Sequence, residues 1–360
     1  MNNVLIIVPN DAIGGAEQYL KMVAKDFLTQ GFCIYVFFFK KKEYKAWDDL
    51  ESINTKLYYT NSYREKWGIV NSFKNIMTVR SIRFDYAFTS HVHASSFVGV
   101  LRKLKLIKIN HFVARESTSI FRRFSGLKLF IYKRLYIIGY SSIDLLICQT
   151  DYMKDQLVDA LPWLNRKIKI KTIPNPINLN NIRSQEDINL IITHPYIVSA
   201  GRLIHEKGFD ILIKAFNLIK DKSFNLIILG EGNEREHLND IINTLNLHDT
   251  VHLPGFTKNV YPLFKNAELC VVSSRIEGFP NVLLQMMSQN TKVVSTKCAG
   301  DIENLDGVFA CKTNNIEDLY NKMIDCLNTD TEICRVKFDL ELEKRSIVNF
   351  IKTIMKYLSE

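Results

Sequence analysis

Two cations follow a short apolar segment in the second half of the chain and suit a phosphorylated ligand. Arg202 and Lys207 come directly after residues 196–200, which we predict to form a strand. The carboxyl ends of parallel strands are where open α/β sheets bind ligands. A forked guanidinium and a compact ammonium can together neutralise a diphosphate, although an ordinary pair of solvated cations can have the same spacing.

A carboxylate, Glu277, lies in a predicted turn between a second strand and a helix. Residues 269–272 form a short apolar run, and Pro280 suits the first turn of the helix that we predict to follow. A helix start offers unpaired N–H groups and the positive end of a dipole to an anion. Glu277 therefore has two interpretations: it belongs to a ligand site, or it only complements the helix dipole.

A glycine pair, Gly14-Gly15, occupies a similar turn near the start of the chain. It follows the predicted strand at residues 4–8 and opens a predicted helix that reaches about Gln30. A turn without side chains lets backbone N–H groups approach a diphosphate. Glycine is common at such turns, so the pair alone does not establish a phosphate site.

The elements that position these residues repeat one pattern. Apolar strands alternate with helical segments, which predicts parallel sheets covered by helices on both faces. A length of 360 residues suits two domains, and two prolines around Asn175 interrupt regular structure. We predict doubly wound domains at residues 1–178 and 179–340, the second opening with a polar segment to about Thr193. A helix at 341–360 follows and can pack back on the first domain.

Composition excludes several classes of protein. No run approaches the eighteen or so apolar residues of a membrane span, and the first eight residues resemble a strand rather than a signal peptide. We therefore expect a cytoplasmic protein. The seven cysteines never occur as Cys-x-x-Cys, which favours buried thiols over disulfides or a zinc site.

Charge is distributed unevenly along the chain. Residues 1–178 hold 27 Lys and Arg against 14 Asp and Glu, whereas residues 179–360 hold 20 against 24. Residues 102–140 contain ten Lys and Arg and one carboxylate, interleaved with apolar residues and including a predicted basic amphipathic helix near 124–139. Such a segment can face nucleic acid or an anionic membrane surface. The alternative is a helix whose apolar stripe is core and whose charges are simply solvated.

Four motifs, taken in their order and spacing, resemble glycosyltransferase family 4. They are Gly-Gly-Ala-Glu at 14–17, Ser-Ala-Gly-Arg-Leu-x-x-Glu-Lys-Gly at 199–208, Leu-Gly-Glu-Gly at 229–232 and Ser-x-x-Glu-Gly-Phe-Pro-Asn-Val-Leu-Leu at 274–284. The resemblance implies a retaining, metal-independent enzyme of GT-B architecture, with two Rossmann-like domains that face a cleft. It further implies a nucleotide-sugar donor held by the second domain and an acceptor held by the first.

The resemblance also implies roles for individual residues. Arg202 and Lys207 match the pair that neutralises the departing diphosphate, and Glu277 matches the residue that contacts the transferred sugar. The implied donor-binding residues are Gly14, Gly15, Phe256, the main chain of Gly278, Phe279 and Pro280, and Gln285. Gln285 stands where the family usually has a glutamate on the ribose hydroxyls, and an amide can still accept and donate there. Candidate sugar or acceptor contacts in the first domain are His91, His93, His111, Arg115 and Glu116.

The resemblance implies a hexosyltransferase that uses a UDP-sugar and builds a bacterial surface polysaccharide such as O-antigen or capsule. The expected acceptor is a polyprenyl-diphosphate-linked oligosaccharide, met at the anionic inner face of the cell membrane. No cofactor or metal is expected, because the nucleotide sugar is a substrate. Nucleic acid is not an expected partner, because it leaves the ordered motifs unexplained. Two alternatives stay open: a sugar-nucleotide epimerase of the same architecture, and a non-catalytic sugar-nucleotide-binding partner that lost activity at Gln285.

Overall fold

The computed structural model of the chain divides into two units. Residues 1–176 and 347–360 form the first unit, and residues 177–346 form the second. The predicted division after residue 178 lies close to the first crossing of the chain between units. The structure describes residues 2–12, 14–42, 44–62, 65–178, 194–221, 223–257 and 259–360. The polar segment predicted to reach Thr193 therefore lies largely outside the described residues.

A parallel sheet forms the centre of the first unit, with seven strands among the described residues. In chain order these are β1 Asn3–Val8, β2 Cys33–Phe38, β3 Thr55–Tyr59, β4 Arg83–Ser90, β5 Lys108–Arg115, β6 Leu145–Cys148 and β7 Lys169–Thr172. Their spatial order is β3-β2-β1-β4-β5-β6-β7. The order reverses between β1 and β4, the position at which doubly wound sheets open a crevice at their carboxyl ends.

Helices cover both faces of this sheet. They are α1 Gly15–Thr29, α2 Glu65–Met77, α3 Val92–Lys103, α4 Ile120–Arg123, α5 Gly126–Gly139, α6 Asp151–Ala160 and α7 Pro162–Lys167. Alternate residues of β1 belong to different cores, with Leu5 and Ile7 facing α3 and α5, and Val4 and Ile6 facing α1. Such a strand is apolar along its whole length because both of its faces are buried.

The second unit repeats this architecture with six parallel strands in its described part. They are β8 Tyr196–Ala200, β9 Asn225–Leu229, β10 Val251–Gly255, β11 Leu269–Val272, β12 Val293–Thr296 and β13 Phe309–Cys311. Their order is β10-β9-β8-β11-β12-β13, so this sheet reverses between β8 and β11. Its helices are α8 Phe209–Asn217, α9 Arg235–Thr244, α10 Tyr261–Lys265, α11 Asn281–Met287, α12 Ile316–Asn328 and α13 Glu332–Lys344. The prediction of two doubly wound parallel-sheet domains is confirmed.

One further helix, α14 Ile347–Ser359, belongs to the first unit. Phe350 is buried there and its ring meets that of Tyr19 on α1 edge to face, with centroids 5.5 Å apart. Lys169 Nζ also donates to the Tyr357 carbonyl at 2.7 Å. The helical segment predicted for 341–360 is thus divided between α13 and α14, and the predicted boundary after residue 340 falls inside α13.

Candidate active site

The second unit brings a lysine and a glutamate together at the carboxyl ends of β8 and β11. These strands are parallel neighbours, so the loops that follow them meet at one edge of the sheet. Lys207 Nζ lies 2.5 Å from Glu277 Oε1, and Ser274 Oγ donates to the same oxygen at 3.1 Å. The Glu277 N–H donates to the Cys298 carbonyl at 2.8 Å, which holds the main chain in place. Both side chains of the pair are half-buried.

Arg202, five residues before Lys207 in the sequence, is an exposed residue. In the described part of the chain no carboxylate forms an ion pair with it. Its loop is nevertheless fixed, because the Leu203 N–H donates to the Glu231 carbonyl at 2.9 Å. A Cβ on Gly232 would lie 2.1 Å from the Leu203 carbonyl oxygen, so that approach requires glycine. A solvated cation on a fixed loop is available to an anionic ligand.

Arg275 ties the loop of Lys207 to the loop of Glu277, a role that the sequence did not suggest. Its guanidinium donates to both carboxylate oxygens of Asp210, at 2.8 and 2.7 Å, and to the His205 carbonyl at 2.7 Å. Burial penalises the charged form of Asp210, but the hydrogen bonds and charge of Arg275 outweigh it and lower the pKa of the carboxyl. A forked ion pair of this kind fixes orientation as well as distance.

Gly208 completes the junction between these two loops. Its φ of +63° lies in the left-handed region, and a Cβ there would lie 2.3 Å from the Ser273 carbonyl oxygen. Ser273 Oγ donates to the Lys207 carbonyl at 2.9 Å across the same junction. Glycine at position 208 is therefore a steric requirement of this turn.

The segment from Gly278 to Pro280 lies directly after Glu277, and we call residues 277–280 the donor loop. Phe279 is buried in the core of the unit, so only the main chain of this residue can face a ligand. Helix α11 begins directly after Pro280, which confirms the predicted strand, turn and helix. The helix has seven residues, about two turns, so its dipole is short.

Two other predicted donor contacts lie on neighbouring elements. Gln285 is half-buried on α11, and its Nε2 donates to the Tyr261 hydroxyl at 3.3 Å. Phe256 follows β10, two strands from β8 in the sheet, and 63% of its surface is exposed. The structure does not join either side chain to the Lys207–Glu277 pair. Their contacts with a donor stay predictions.

Gly14 and Gly15 lie where the sequence places them, at the start of α1. Gly14 is the residue before the helix, and Gly15 is its first residue. A Cβ on Gly14 would lie 2.3 Å from Glu17 Oε2 of the buried Glu17 side chain. The end of a flexible side chain can move away, so this contact does not by itself require glycine at position 14. The phosphate contact stays a prediction.

Arg115 at the end of β5 is an internal side chain with 2% of its surface exposed. It donates to Ser90 Oγ at 3.3 Å and to Asn175 Oδ1 at 2.5 Å, and its guanidinium lies over the Tyr19 ring, 4.5 Å from the centroid. Burial lowers the pKa of Arg115 to about 10. The residue joins the ends of β4 and β5 to the segment after β7.

Glu116, the next residue, is buried as well, with 3% of its surface exposed. The hydroxyls of Tyr136 and Tyr140 each donate to its carboxylate at 2.8 Å. Burial raises the pKa of Glu116 to about 7, and the two hydrogen bonds only partly oppose this. Glu116 therefore attaches helix α5 to the end of β5. Neither Arg115 nor Glu116 is exposed to a substrate in this structure.

The three candidate histidines separate into two places. His91 precedes α3 with a φ of +129°, and its ring is 5.7 Å from that of His93. Burial, reinforced by the charges of His93 and Arg115, lowers the pKa of His91 to about 3, so its ring is neutral at physiological pH. His111 lies in the first half of β5 and stacks on Tyr86, with centroids 5.5 Å apart. The structure does not bring His111 to the strand ends.

Helix α5 exposes apolar and basic side chains on the same surface. It packs against α3 backbone to backbone, because a Cβ on Gly99 would lie 1.9 Å from the Gly139 carbonyl oxygen. Leu127 is 75% exposed, and four other large apolar side chains of the helix are about half exposed. We define the α5 face as Leu127, Phe130, Ile131, Ile137 and Ile138 with Lys128, Lys133 and Arg134. The basic helix is thus confirmed, but much of its apolar surface lies outside the core.

The basic surface predicted from residue 102 to 140 is smaller than the sequence suggested. Arg102 donates to Asp144 Oδ2 at 2.7 Å and to the Ser142 carbonyl at 2.6 Å, so it holds the end of α3.

None of the helices in the described part of the chain has the length and apolar character of a membrane span. Within the same residues, no group of three or more His, Cys, Asp or Glu side chains is placed to hold a metal ion.

Comparison with known proteins gives the family of each domain. Residues 13–181 match the model described as Glycosyltransferase Family 4, and residues 194–329 match Glycosyl transferases group 1. An uncharacterized glycosyltransferase of Methanocaldococcus jannaschii is 29% identical over 63% of this chain and 59% of its own length. The N-acetylgalactosamine-N,N'-diacetylbacillosaminyl-diphospho-undecaprenol 4-alpha-N-acetylgalactosaminyltransferase of Campylobacter jejuni is 28% identical over 59% of this chain and 55% of its own. The chain thus spans little more than half the length of these relatives.

Solved structures share the fold over the whole chain. Anabaena HepE in complex with UDP and glucose has a TM-score of 0.80 at 19% identity and covers 100% of both chains. Sucrose-phosphate synthase from Thermosynechococcus elongatus has a TM-score of 0.79 at 16% identity, over 99% of this chain and 98% of that one. At these identities the likeness establishes the fold, which is that of the GT-B glycosyltransferases.

Proposed function

We propose a reaction for this chain, whose two domains belong to the Glycosyltransferase Family 4 and Glycosyl transferases group 1 families. It transfers a sugar from a nucleoside-diphosphate sugar, with UDP as the expected nucleotide, to a saccharide acceptor with retention of configuration. The observation that carries the proposal is the Lys207–Glu277 pair at the adjoining ends of β8 and β11, close in sequence to the solvated Arg202. The UDP and glucose bound to HepE support the choice of donor.

Electrostatic stabilisation is the main contribution that these residues can make. A diphosphate gains charge as it leaves the sugar, so fixed cations stabilise the transition state more than the ground state. Arg202 has no carboxylate partner among the described residues and can bind phosphate oxygens in a forked way. The Lys207 ammonium has three donors, so it can bind Glu277 and a phosphate oxygen together. Glu277 can in turn accept hydrogen bonds from sugar hydroxyls.

The α5 face supports a lipid-linked acceptor and a peripheral position on the membrane. Its apolar side chains can enter the interface while its cations remain at the level of anionic headgroups. Each basic residue near such a surface contributes about 1 kcal/mol. A polyprenyl-diphosphate-linked oligosaccharide fits a protein held in this way. The diphospho-undecaprenol in the name of the Campylobacter jejuni relative is consistent with that acceptor class.

The test is release of nucleoside diphosphate. The purified protein is incubated with a panel of sugar nucleotides, with and without membrane extract and with and without EDTA. We expect release from one sugar nucleotide, dependent on membranes and unaffected by EDTA, because we propose that no metal ion is needed. Lys207→Ala serves as the inactive control.

The same experiment distinguishes the two alternatives. An epimerase would interconvert the sugar nucleotide without acceptor, and a non-catalytic binder would retain the nucleotide and release nothing. Either result would overturn the transferase proposal. Release that stops when EDTA is added would overturn only the claim that the reaction needs no metal.

A further inference from the structure

Arg345, which follows α13, is a buried cation. It is 7% exposed, and its Nε donates to Glu341 Oε1 at 2.6 Å. Nη1 is also buried and has no hydrogen-bond partner among the described residues. The guanidinium lies over the ring of Phe279, 4.9 Å from the centroid. Arg345 therefore forms a buried cation–π contact with the Phe279 ring.

That ring belongs to the donor loop. Phe279 lies two residues after Glu277 and has its side chain in the core beside Phe338 and Leu342. A single methylene group joins this buried ring to the main chain, so whatever holds the ring also limits the movement of the loop that carries the carboxylate. The attraction of a cation to an aromatic face strengthens when water is excluded, as it is here.

Arg345 also lies beside both crossings of the chain between the units. Its carbonyl accepts a hydrogen bond from the Ile177 N–H at 2.8 Å, and Ile177 forms a bridge with Ser346. The chain enters the second unit at Ile177 and leaves it after Ser346. One residue thus contacts the donor loop through its side chain and the two crossing segments through its backbone.

We propose that Arg345 is a positioning residue that holds the donor loop in register with the crossing segments. The assignment of residues 277–280 as a donor loop rests on the proposed function. The contact between Arg345 and the Phe279 ring is independent of the proposed function. Loss of the guanidinium should therefore loosen the loop whether or not the protein is a transferase.

A matched control lies on α13, the helix that Arg345 follows. Arg335 also forms an ion pair four residues along, Nη2 to Asp339 Oδ1 at 2.7 Å, and lies 5.9 Å from the centroid of the Phe338 ring. It is partly exposed, and among the described residues its ion pair and ring contact are with Asp339 and Phe338, outside the donor loop. Arg345→Met and Arg335→Met each remove a guanidinium that has a carboxylate and an aromatic ring as neighbours, and only the first should affect the loop.

The first measurement is amide hydrogen exchange of the peptide covering residues 275–285 in the ligand-free protein. We expect exchange at least about threefold faster in Arg345→Met and unchanged exchange in Arg335→Met. If Arg345→Met fails to fold, Arg345→Lys, which keeps the charge but loses the planar fork, should show a smaller increase. Exchange equal to wild type in a folded Arg345 variant would overturn the proposal.

The second measurement is the KM for each substrate. We expect Arg345→Met to raise the KM for the sugar nucleotide by about tenfold and to leave the KM for the acceptor unchanged. A merely structural role would lower the active fraction and leave both constants unchanged, and that result would overturn the positioning role. If wild-type protein has no transferase activity but the exchange difference is present, the proposed function fails and the link from Arg345 to the loop stands.

Discussion

The two sheets place ionisable side chains at the same edge in opposite ways. At the end of β5, Arg115 and Glu116 are buried, and their partners are protein groups. At the ends of β8 and β11, Lys207 and Glu277 are half-buried, and Arg202 is exposed. Burying charge is costly unless it is paired or hydrogen-bonded, so the first arrangement fixes the chain. The second leaves charge available to a ligand.

This difference shows that a shifted pKa does not by itself mark the reactive site. Burial shifts the pKa values of Arg115, Glu116 and His91, all in the first unit. Internal networks shift pKa values as strongly as active sites do. Here the site that suits a charged donor is recognised by its solvated cation and its paired carboxylate.

The largest expected effect concerns the buried carboxylate. The folded pKa of Glu116, about 7, lies above the value of 4.5 for an unperturbed glutamate. As the pH rises from 4.5 to 7, the unfolded state loses this proton before the native state does, so wild type loses stability. The Glu116→Gln variant has no ionisable group at this position, so it does not lose stability in this way. Its free energy of unfolding relative to wild type should rise across this range by up to about 3 kcal/mol, at about 1.4 kcal/mol per pKa unit.

Urea unfolding of both proteins at pH 4.5 and pH 7.5 measures this change. The difference between variant and wild type cancels the other groups that titrate in the range, including His91. Tyr140→Phe is the control, because it removes one hydroxyl and keeps the carboxyl, so it should be destabilised without losing the pH dependence. A constant difference between Glu116→Gln and wild type would show that Glu116 is ionised in both states.

The second effect concerns the two cations that follow β8. Arg202→Ala or Lys207→Ala should lower turnover at least roughly a hundredfold, about 2.7 kcal/mol of transition-state stabilisation, with folding intact. Lys297→Ala is the matched control, because Lys297 lies after β12 in the same unit and pairs with the exposed Glu303. Turnover within a few-fold of wild type in either site variant would remove that residue from the site.

The third effect tests whether the cations of the α5 face bind an anionic membrane. Replacing Lys128 and Lys133 together by Ala should weaken binding to vesicles with anionic lipid roughly thirtyfold, at about 1 kcal/mol per cation. Replacing Lys337 and Lys344 on α13 should change little. The wild-type protein should bind vesicles with anionic lipid more tightly than neutral vesicles, and this binding should weaken as the salt concentration rises.

Equal binding to both kinds of vesicle, or none to either, would discard the membrane role of the α5 face. The apolar side chains of that face would then need another partner, such as a protein. The proposed transfer reaction would be unaffected, because Arg202, Lys207 and Glu277 lie in the second unit.

The smallest effect concerns Gln285. If its amide replaces the ribose contact of a glutamate, Gln285→Glu should change the KM for the donor less than about fivefold, within about 1 kcal/mol, with little change in turnover. Steady-state kinetics with varied donor measures both constants. Activity that appears only in the variant would instead identify the wild-type chain as a lapsed enzyme.

The sequence predicted elements better than it predicted the surroundings of single side chains. The alternation of apolar strands and helices was sufficient for both sheets, and Gly15 and Pro280 marked the helix starts. It was also sufficient to place Arg202, Lys207 and Glu277 after strands that proved to be neighbours. These features depend on local pattern and on the topology that the pattern permits.

Side-chain environment depends on residues far away in the chain. Arg102 was expected on the basic surface that faces the membrane, but Asp144 binds it. Glu116 was a candidate contact to the sugar or acceptor, but the hydroxyls of Tyr136 on α5 and of Tyr140 directly after it bind its carboxylate. Phe279 and Arg345 meet across 66 positions of sequence, a contact that no local pattern signals.

The position of helix α14 at the end of the sequence affects how the first unit folds during synthesis. Phe350, Ile351 and Ile354 complete the core beside α1, yet the ribosome adds them only after residues 177–346. At about 5–20 residues per second, the first unit waits roughly 10 to 30 s with that apolar face uncovered. During this interval the nascent chain is a substrate for chaperones and for aggregation. A transcript interrupted before Ile347 would yield a second unit with all of its strands beside a first unit that cannot close its core.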